Sequence, residues 1–312
     1  MRVALILTGL LALAALYVLP GSGLDMDYVI PRRLGRLAAM VICGIAVAFS
    51  SITFQTLTGN RILTPSIMGY EAVYLMWQSL MILSLGTASL RLMGTNGNFI
   101  TSIMIMLAWS LALHRWLFRD GRNNVWLLLL VGLVLTMVIT TFTQFVQLRI
   151  SPGEFAVFQS FAQMSFDRVD SVRLVWSAAL LALVIAAGWR SLRVLDVLAL
   201  GRDQAISLGV DHRAMVRFLL ALISVLVAVS TSLIGPSAFM GIFVANVAYL
   251  LAPDARHRRL LPIGAAIAIA MFLIAQIMVE QVFDSRTTVG ILINLTCGVW
   301  FLALMLRSGR QG

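Results

Sequence analysis

Residues 191–217 read SLRVLDVLALGRDQAISLGVDHRAMVR, a polar segment set between two long apolar runs. With the preceding Arg190 it gathers Arg193, Arg202, Arg213 and Arg217 together with Asp196, Asp203 and Asp211. Gly201 and Gly209 punctuate it, so its middle predicts two short helices broken at those glycines. On either side the chain is apolar over lengths that match a bilayer, whose ~30 Å hydrocarbon core takes about 20 residues per helix. A large ordered polar insert in such a chain points to a soluble partner that touches it. This segment decides the reading: a membrane protein whose working contact with the inner aqueous phase lies here.

The composition is 60% hydrophobic and 12% charged, with mean hydropathy +0.96, against roughly 25% charge in a soluble domain. Ten apolar stretches can be marked: 3–19, 34–56, 66–85, 98–117, 125–147, 172–189, 214–233, 237–250, 260–279 and 288–306. None shows the period-2 alternation of barrel strands, so all are read as helices. The expected fold is therefore an all-α polytopic membrane protein of ten transmembrane helices, one domain over residues 1–312. The stretch 237–250 is short and follows Gly235-Pro236; if it does not span, the parity of the topology changes. Residues 1–20 have the look of a signal peptide, but the apolar run exceeds the usual 7–15 residues of such a region, and a retained first helix is expected.

All 23 basic residues are arginine. The absence of lysine excludes a P-loop ATPase, which needs a lysine on the phosphates, and lysine-nucleophile chemistry. Energy must come from an ion gradient or from another polypeptide. The net charge of +10 reflects arginines at span ends rather than a nucleic-acid surface. With both termini cytoplasmic, fifteen arginines fall inside, among them Arg61, Arg119, Arg122, Arg190 and Arg310. The other eight, Arg32, Arg33, Arg36, Arg91, Arg149, Arg168, Arg173 and Arg286, fall outside, which satisfies the positive-inside bias. Cys43 and Cys297 lie within apolar runs and read as small packing residues.

A faint internal echo links spans two and seven: Arg36-Leu37 leads to Ala46-Val47-Ala48, and Arg217-Phe218 leads to Val227-Ala228-Val229. These helices run in opposite directions in this topology, as an inverted repeat requires. Between spans five and six, Ser151-Pro152-Gly153 predicts a turn, and residues 154–166 an interfacial helix.

No catalytic constellation appears. His114, His212 and His257 sit beside arginines at span ends and read as headgroup or helix-terminus contacts; no cluster has metal-ligand spacing. Glu71 is the one carboxylate placed inside a span, a functional candidate by default, with local pairing to Arg61 as the plainer reading. Gln55, Asn60 and Thr64-Pro65 form a polar break between spans two and three. Such backbone is tolerated at membrane depth only where it is buried or lines a path. Gln276, Glu280 and Asp284 share one face at the outer end of span nine, either a solvated rim or a docking surface.

Over nearly its whole length the chain resembles the ten-helix permease subunits of ABC importers for iron–siderophore complexes and cobalamin, the FecCD type. Ile30-Pro31-Arg32 is similar to the family's L-P-R, and Gln55…Asn60-Arg61-Ile62-Leu63-Thr64-Pro65 to its Q…N-P-L-A-x-P. Leu200-Gly201…Ala205…Leu208-Gly209-Val210 resembles the L-G…A…L-G-V of its coupling loop. Gly235-Pro236-Ser237-Ala238-Phe239-Met240-Gly241 is similar to G-x-I-x-F-V-G-L, and Arg259-Leu260-Leu261-Pro262 to H-R-x-L-L-P. The family's asparagine–proline pair is Asn60-Arg61 here, its P-H after span eight is Ala252-Pro253-Asp254, and Glu280 stands where many relatives carry arginine. Residues 276–288 resemble the branch serving catecholate or related siderophores, in which two different permeases often pair.

The resemblance implies a non-enzymatic permease in the cell inner membrane that forms a homodimer or heterodimer. Two ATPase subunits, which carry the ATP and Mg, would grip a coupling loop at about 190–213. It implies no cofactor in this chain, an iron chelate as substrate, and a periplasmic or lipid-anchored binding protein docked through Arg32, Arg33 and Glu280. Leu200, Gly201, Ala205, Leu208, Gly209 and Val210 would couple to the ATPase. Gln55, Asn60, Ile62 and Glu71 would line the path, with the inner gate at Asn60 and Ile62. The alternatives are an ion-gradient-driven secondary transporter using Glu71, which has no need of a two-helix dock, and an intramembrane enzyme, for which no nucleophile–base pair is visible.

Overall fold

The computed structural model describes residues 2–20, 27–86, 88–117, 125–237, 239–252, 254 and 256–308. Ala238 and Pro253 of the quoted motifs, and Arg119, Arg122 and Arg310 of the charge count, lie outside the described residues. Among the described residues the regular structure is entirely helical: α1 (Arg2–Val18), α2 (Val29–Thr58), α3 (Tyr70–Leu85), α4 (Ala88–Leu117), α5 (Val125–Gln147), α6 (Pro152–Ala162), α7 (Ser171–Gly188), α8 (Leu192–Leu198), α9 (Arg202–Ser207), α10 (His212–Ile234), α11 (Met240–Leu251), α12 (His257–Ile277) and α13 (Val289–Ser308).

Six helical segments are long and apolar enough to cross a membrane: Val29–Thr58, Gly94–Arg115, Leu129–Gln147, Ser171–Leu198, His212–Ile234 and His257–Val282. The apolar runs place these helices well, and the differences lie at the ends. α2 starts five residues before the expected 34, because Arg32, Arg33 and Arg36 continue its first turns rather than ending it. α4 is interrupted at Gly94, where φ is 66° and ψ 167°. α11 is only 12 residues long; at 1.5 Å per residue it rises about 18 Å, less than the ~30 Å hydrocarbon core. α6 begins at Pro152, inside the expected turn, and ends at Ala162 rather than 166; it opens with a capping box in which Ser151 and Glu154 bond each other's backbone N–H.

The centre of the molecule is α2 packed between α10 and α12. α2 and α12 are antiparallel, as four contacts in steady register show. Arg36 meets Glu280, Gly44 meets Ile269, Ala48 and Ile52 meet Gly264, and Thr56 meets His257. Small residues make this approach possible. A Cβ on Gly44 would stand 2.7 Å from the Ile269 side chain, and one on Gly264 2.6 Å from Ile52. On its other flank α2 runs past α10, with Leu57 beside Leu219 and Val47 and Ser50 across from Val227 and Ser230. The most hydrophobic part of α2 is 72% buried inside the chain, against 17% for the segment that contains α7. α2 is thus an internal strut, and α7 offers its apolar surface outward.

Candidate functional site

The 191–217 segment folds as two short helices. α8 and α9 are docked by Leu195, Leu198 and Ala205, all buried, against Leu219 of α10 and Leu57 at the end of α2. The turns between and after them use Gly201 (φ 104°) and Gly209 (φ 83°), left-handed conformations that side-chain-bearing residues rarely adopt. The second turn closes through Gly209 N–H to Ile206 O and Val210 N–H to Ala205 O. The opposite face leaves Leu200, Ile206 and Leu208 exposed among Arg202, Asp203 and Gln204.

α8 is also wired to the core. One oxygen of Asp196, Oδ1, accepts the backbone N–H of His257 at 2.8 Å and lies 2.7 Å from its Nδ1. The His257 Nε2 lies 2.7 Å from Thr56 Oγ1, whose proton can also reach Ile52 O at 3.0 Å. That hydroxyl has one proton, so a neutral imidazole accepts it, whereas an imidazolium donates to the Thr56 oxygen. His257 is 1% exposed. Its expected place among headgroups is therefore corrected: the ring is buried and joins α8, α12 and α2.

After α2 the chain ends the helix at Gly59 and crosses a polar stretch. Asn60 Oδ1 accepts from Ile62 N–H at 2.9 Å, an Asx turn that leaves Ile62 exposed. Arg61 stacks on Tyr249 of α11 at 4.3 Å, and Asn246 of α11 donates to its carbonyl. Gln55, a turn before the break, is buried with neither amide atom bonded to protein.

Glu71 does not pair with Arg61 as its sequence neighbourhood suggested. Its Oε1 accepts the backbone N–H of Ser237 at 2.9 Å, in the break between α10 and α11. The break after α2 and the break after α10 thus meet across one carboxylate. Ser50, Ser51, Thr64, Ser66, Ser230 and Ser237 surround it in a cleft of about 20 Å³, room for roughly one water-sized molecule.

The residues expected at a docking surface separate in the structure. Arg33 Nη1 donates to the Tyr17, Val18 and Pro20 carbonyls, and its Nη2 is 3.8 Å from Glu280. Glu280 also bonds Arg36 at 3.0 Å and accepts from Gln276, while Arg36 reaches Asp167. Arg33 and Glu280 therefore fasten α2 to α12. Arg32 is exposed and bonds Tyr28, its neighbour one turn before. Arg36 and Asp167 were missed at the sequence level because their partners lie far off in the chain. Among the described residues no group of three His, Cys, Asp or Glu side chains could hold a metal ion.

A long central strut, broken helices meeting inside the bundle and a paired-helix platform at one end define a multi-pass membrane transport permease. The chain belongs to the FecCD transport family, which it matches over residues 5–307. It is 36% identical, over all of its own length and 98% of the relative's, to the petrobactin import system permease protein YclO of Bacillus subtilis (strain 168). It is 30% identical, over 90% of its length and 79% of the relative's, to the petrobactin import system permease protein FatC of Bacillus anthracis. Its fold matches a solved metal-chelate type ABC transporter in an inward-facing conformation, with TM-score 0.85, 18% identity and 97% of each chain covered.

Proposed function

We propose that the chain is the membrane-spanning half of an ATP-driven importer that carries an iron–siderophore complex across the cell inner membrane. The ATP and Mg sit on two partner ATPase subunits, and the chain itself holds no cofactor. A second permease, a copy of this chain or a related one, completes the path, and a periplasmic or lipid-anchored binding protein delivers the chelate. The reading takes ten spans, with the short α1, α3, α11 and α13 joining the six long segments, and both termini cytoplasmic. The cargo is inferred from the petrobactin relatives, which match all of this chain in one case and 90% of it in the other.

The observation that carries the reading is the α8–α9 platform. It is held by buried Leu195, Leu198 and Ala205 and presents Leu200, Ile206 and Leu208 outward, the shape a soluble ATPase would grip. Gly209 has open space around it, so Gly209→Trp acts through its positive φ and through the docking face rather than the core. In proteoliposomes that contain the partners, this variant should insert normally and lose most binding-protein-stimulated ATP hydrolysis. Normal coupling would contradict the assignment. Gln55, Asn60 and Ile62 line the path beside the platform, and the Asn60 turn with exposed Ile62 forms the inner gate. At the other end Arg32 is the exposed docking charge, presented by the Arg33–Glu280 fastening.

The Glu71 cleft favours one other reading, a carrier driven by protons. Glu71→Gln distinguishes them. Uptake that persists with ATP after the proton gradient is collapsed supports the importer, whereas ATP-independent uptake that follows the gradient and vanishes in the variant supports the carrier.

A further inference from the structure

At the end of the bundle away from α8 and α9, a cavity of about 260 Å³ lies among α3, α4, α6 and α10. Tyr74, Gln78, Asn98 and Ser102 line it, together with Arg168 and Arg173. The amides are already satisfied: Gln78 donates to Asn98 and Ser102, and Asn98 donates back to Gln78. They form a fixed polar wall.

The two arginines are in a different state. Arg168 donates to the Gln163 and Ile234 carbonyls and lies 5.1 Å from the centre of the Phe161 ring. Arg173 donates to the Arg168 carbonyl. Each keeps a buried Nε with no partner. Among the described residues no carboxylate lies within 4.0 Å of either guanidinium, and nearby Asp167 is engaged by Arg36. Burial pushes the Arg168 guanidinium below its ordinary value, and the Tyr74 hydroxyl and the Asp167 charge only partly offset it. Elsewhere in the chain the half-buried arginines Arg33 and Arg36 share Glu280. Asp167 and Asp170 act on Arg168 and Arg173 only from beyond contact distance. Two half-buried like charges with no carboxylate in contact are costly, and the planar guanidinium fork fits the oxygens of a phosphate or carboxylate.

We propose that this cavity binds an oxyanion, a phosphate or carboxylate group, between Arg168 and Arg173. The volume exceeds what a bare phosphate ion fills, so the group can belong to a larger molecule such as an anionic lipid. Arg168 also holds the carbonyl of Ile234, the last residue of α10 before the Gly235 break, so occupancy would stiffen that break.

The test uses the full chain in a neutral maltoside detergent and follows its thermal unfolding midpoint. Inorganic phosphate, compared with potassium chloride at equal ionic strength, should raise the midpoint in a saturable way, since a ligand that binds only the folded state stabilises it. In a second arm phosphatidylglycerol is titrated into the micelles without phosphate. A response to phosphate identifies a soluble oxyanion, and a response to the lipid alone identifies a headgroup. Arg173→Gln should weaken the responding ligand at least tenfold. Asn98→Asp, which places a carboxylate in the wall and keeps the acceptor for Gln78 while giving up the N–H donated to Gln78 Oε1, should abolish the response. This second variant decides the matter if Arg173→Gln fails to fold. The proposal is overturned if neither ligand shifts the wild-type midpoint, or if the shift survives unchanged in Asn98→Asp.

Discussion

At one end of the α2–α12 pair, Arg33 and Arg36 share the Glu280 carboxylate, and Asp167, 62% exposed in its side chain, completes the group. At the other end a single Asp196 oxygen takes two contacts from His257, whose far nitrogen meets Thr56. Both fasten the same helices, and the middle is closed in each direction by Gly44 and Gly264. The first is a cluster of full charges at a partly wet surface. The second is a short hydrogen-bonded chain around a histidine that is 1% exposed, with its Asp196 partner 35% exposed, and it reaches a third element, α8. The first therefore holds geometry and yields to salt, while the second can pass movement of the α8–α9 platform to the strut beside the Asn60 turn.

If this contrast is real, the two ends respond differently to mutation. The largest effect is expected at Asp196. Asp196→Ala leaves the His257 backbone N–H and Nδ1 without their acceptor, and unmet buried donors cost about 1–3 kcal/mol each. Because the Asp196 side chain is itself 35% exposed, water can reach part of the gap, and destabilisation of about 1–3 kcal/mol should appear in thermal unfolding of the detergent-solubilised chain. A value near zero would show that His257 finds another partner and that the link is dispensable.

Glu280→Gln should matter less, because Arg36 keeps Asp167 and the substituted amide still accepts hydrogen bonds. A loss of about 1–2 kcal/mol is expected at low ionic strength, shrinking as salt shortens the screening length from about 30 Å at 0.01 M to about 10 Å at 0.1 M. Equal losses at both salts would mean that the cluster acts by packing. The smallest effect on the fold belongs to Arg32→Glu, under about 0.5 kcal/mol for an exposed position. Its signature is kinetic: slower association of the binding protein, most marked at low salt. Salt-independent association equal to wild type would reduce Arg32 to a membrane-edge anchor.

The helices were readable in the chain because each depends on local order: an apolar run, or a glycine at 201 or 209. The same holds for the α8–α9 platform, whose buried and exposed leucines alternate within twenty residues. What could not be read is any contact made across the chain. Asp196 and His257 are 61 positions apart, Arg36 and Glu280 are 244 apart, and Glu71 meets a backbone N–H 166 positions away. A histidine followed by Arg258 and Arg259 has the local look of a headgroup contact, and only the fold shows that its ring faces α2 and α8. Glu280 likewise looked free for docking, because nothing near it in sequence announces Arg33 and Arg36.

The central claim is that the platform and the strut move together through Asp196 and His257. It is tested most directly by cargo imported per ATP hydrolysed in proteoliposomes assembled with the partner subunits, comparing wild type with Asp196→Ala at a temperature where both are folded. The account predicts that the variant still hydrolyses ATP but imports several-fold less iron chelate per ATP. A ratio equal to wild type would contradict it.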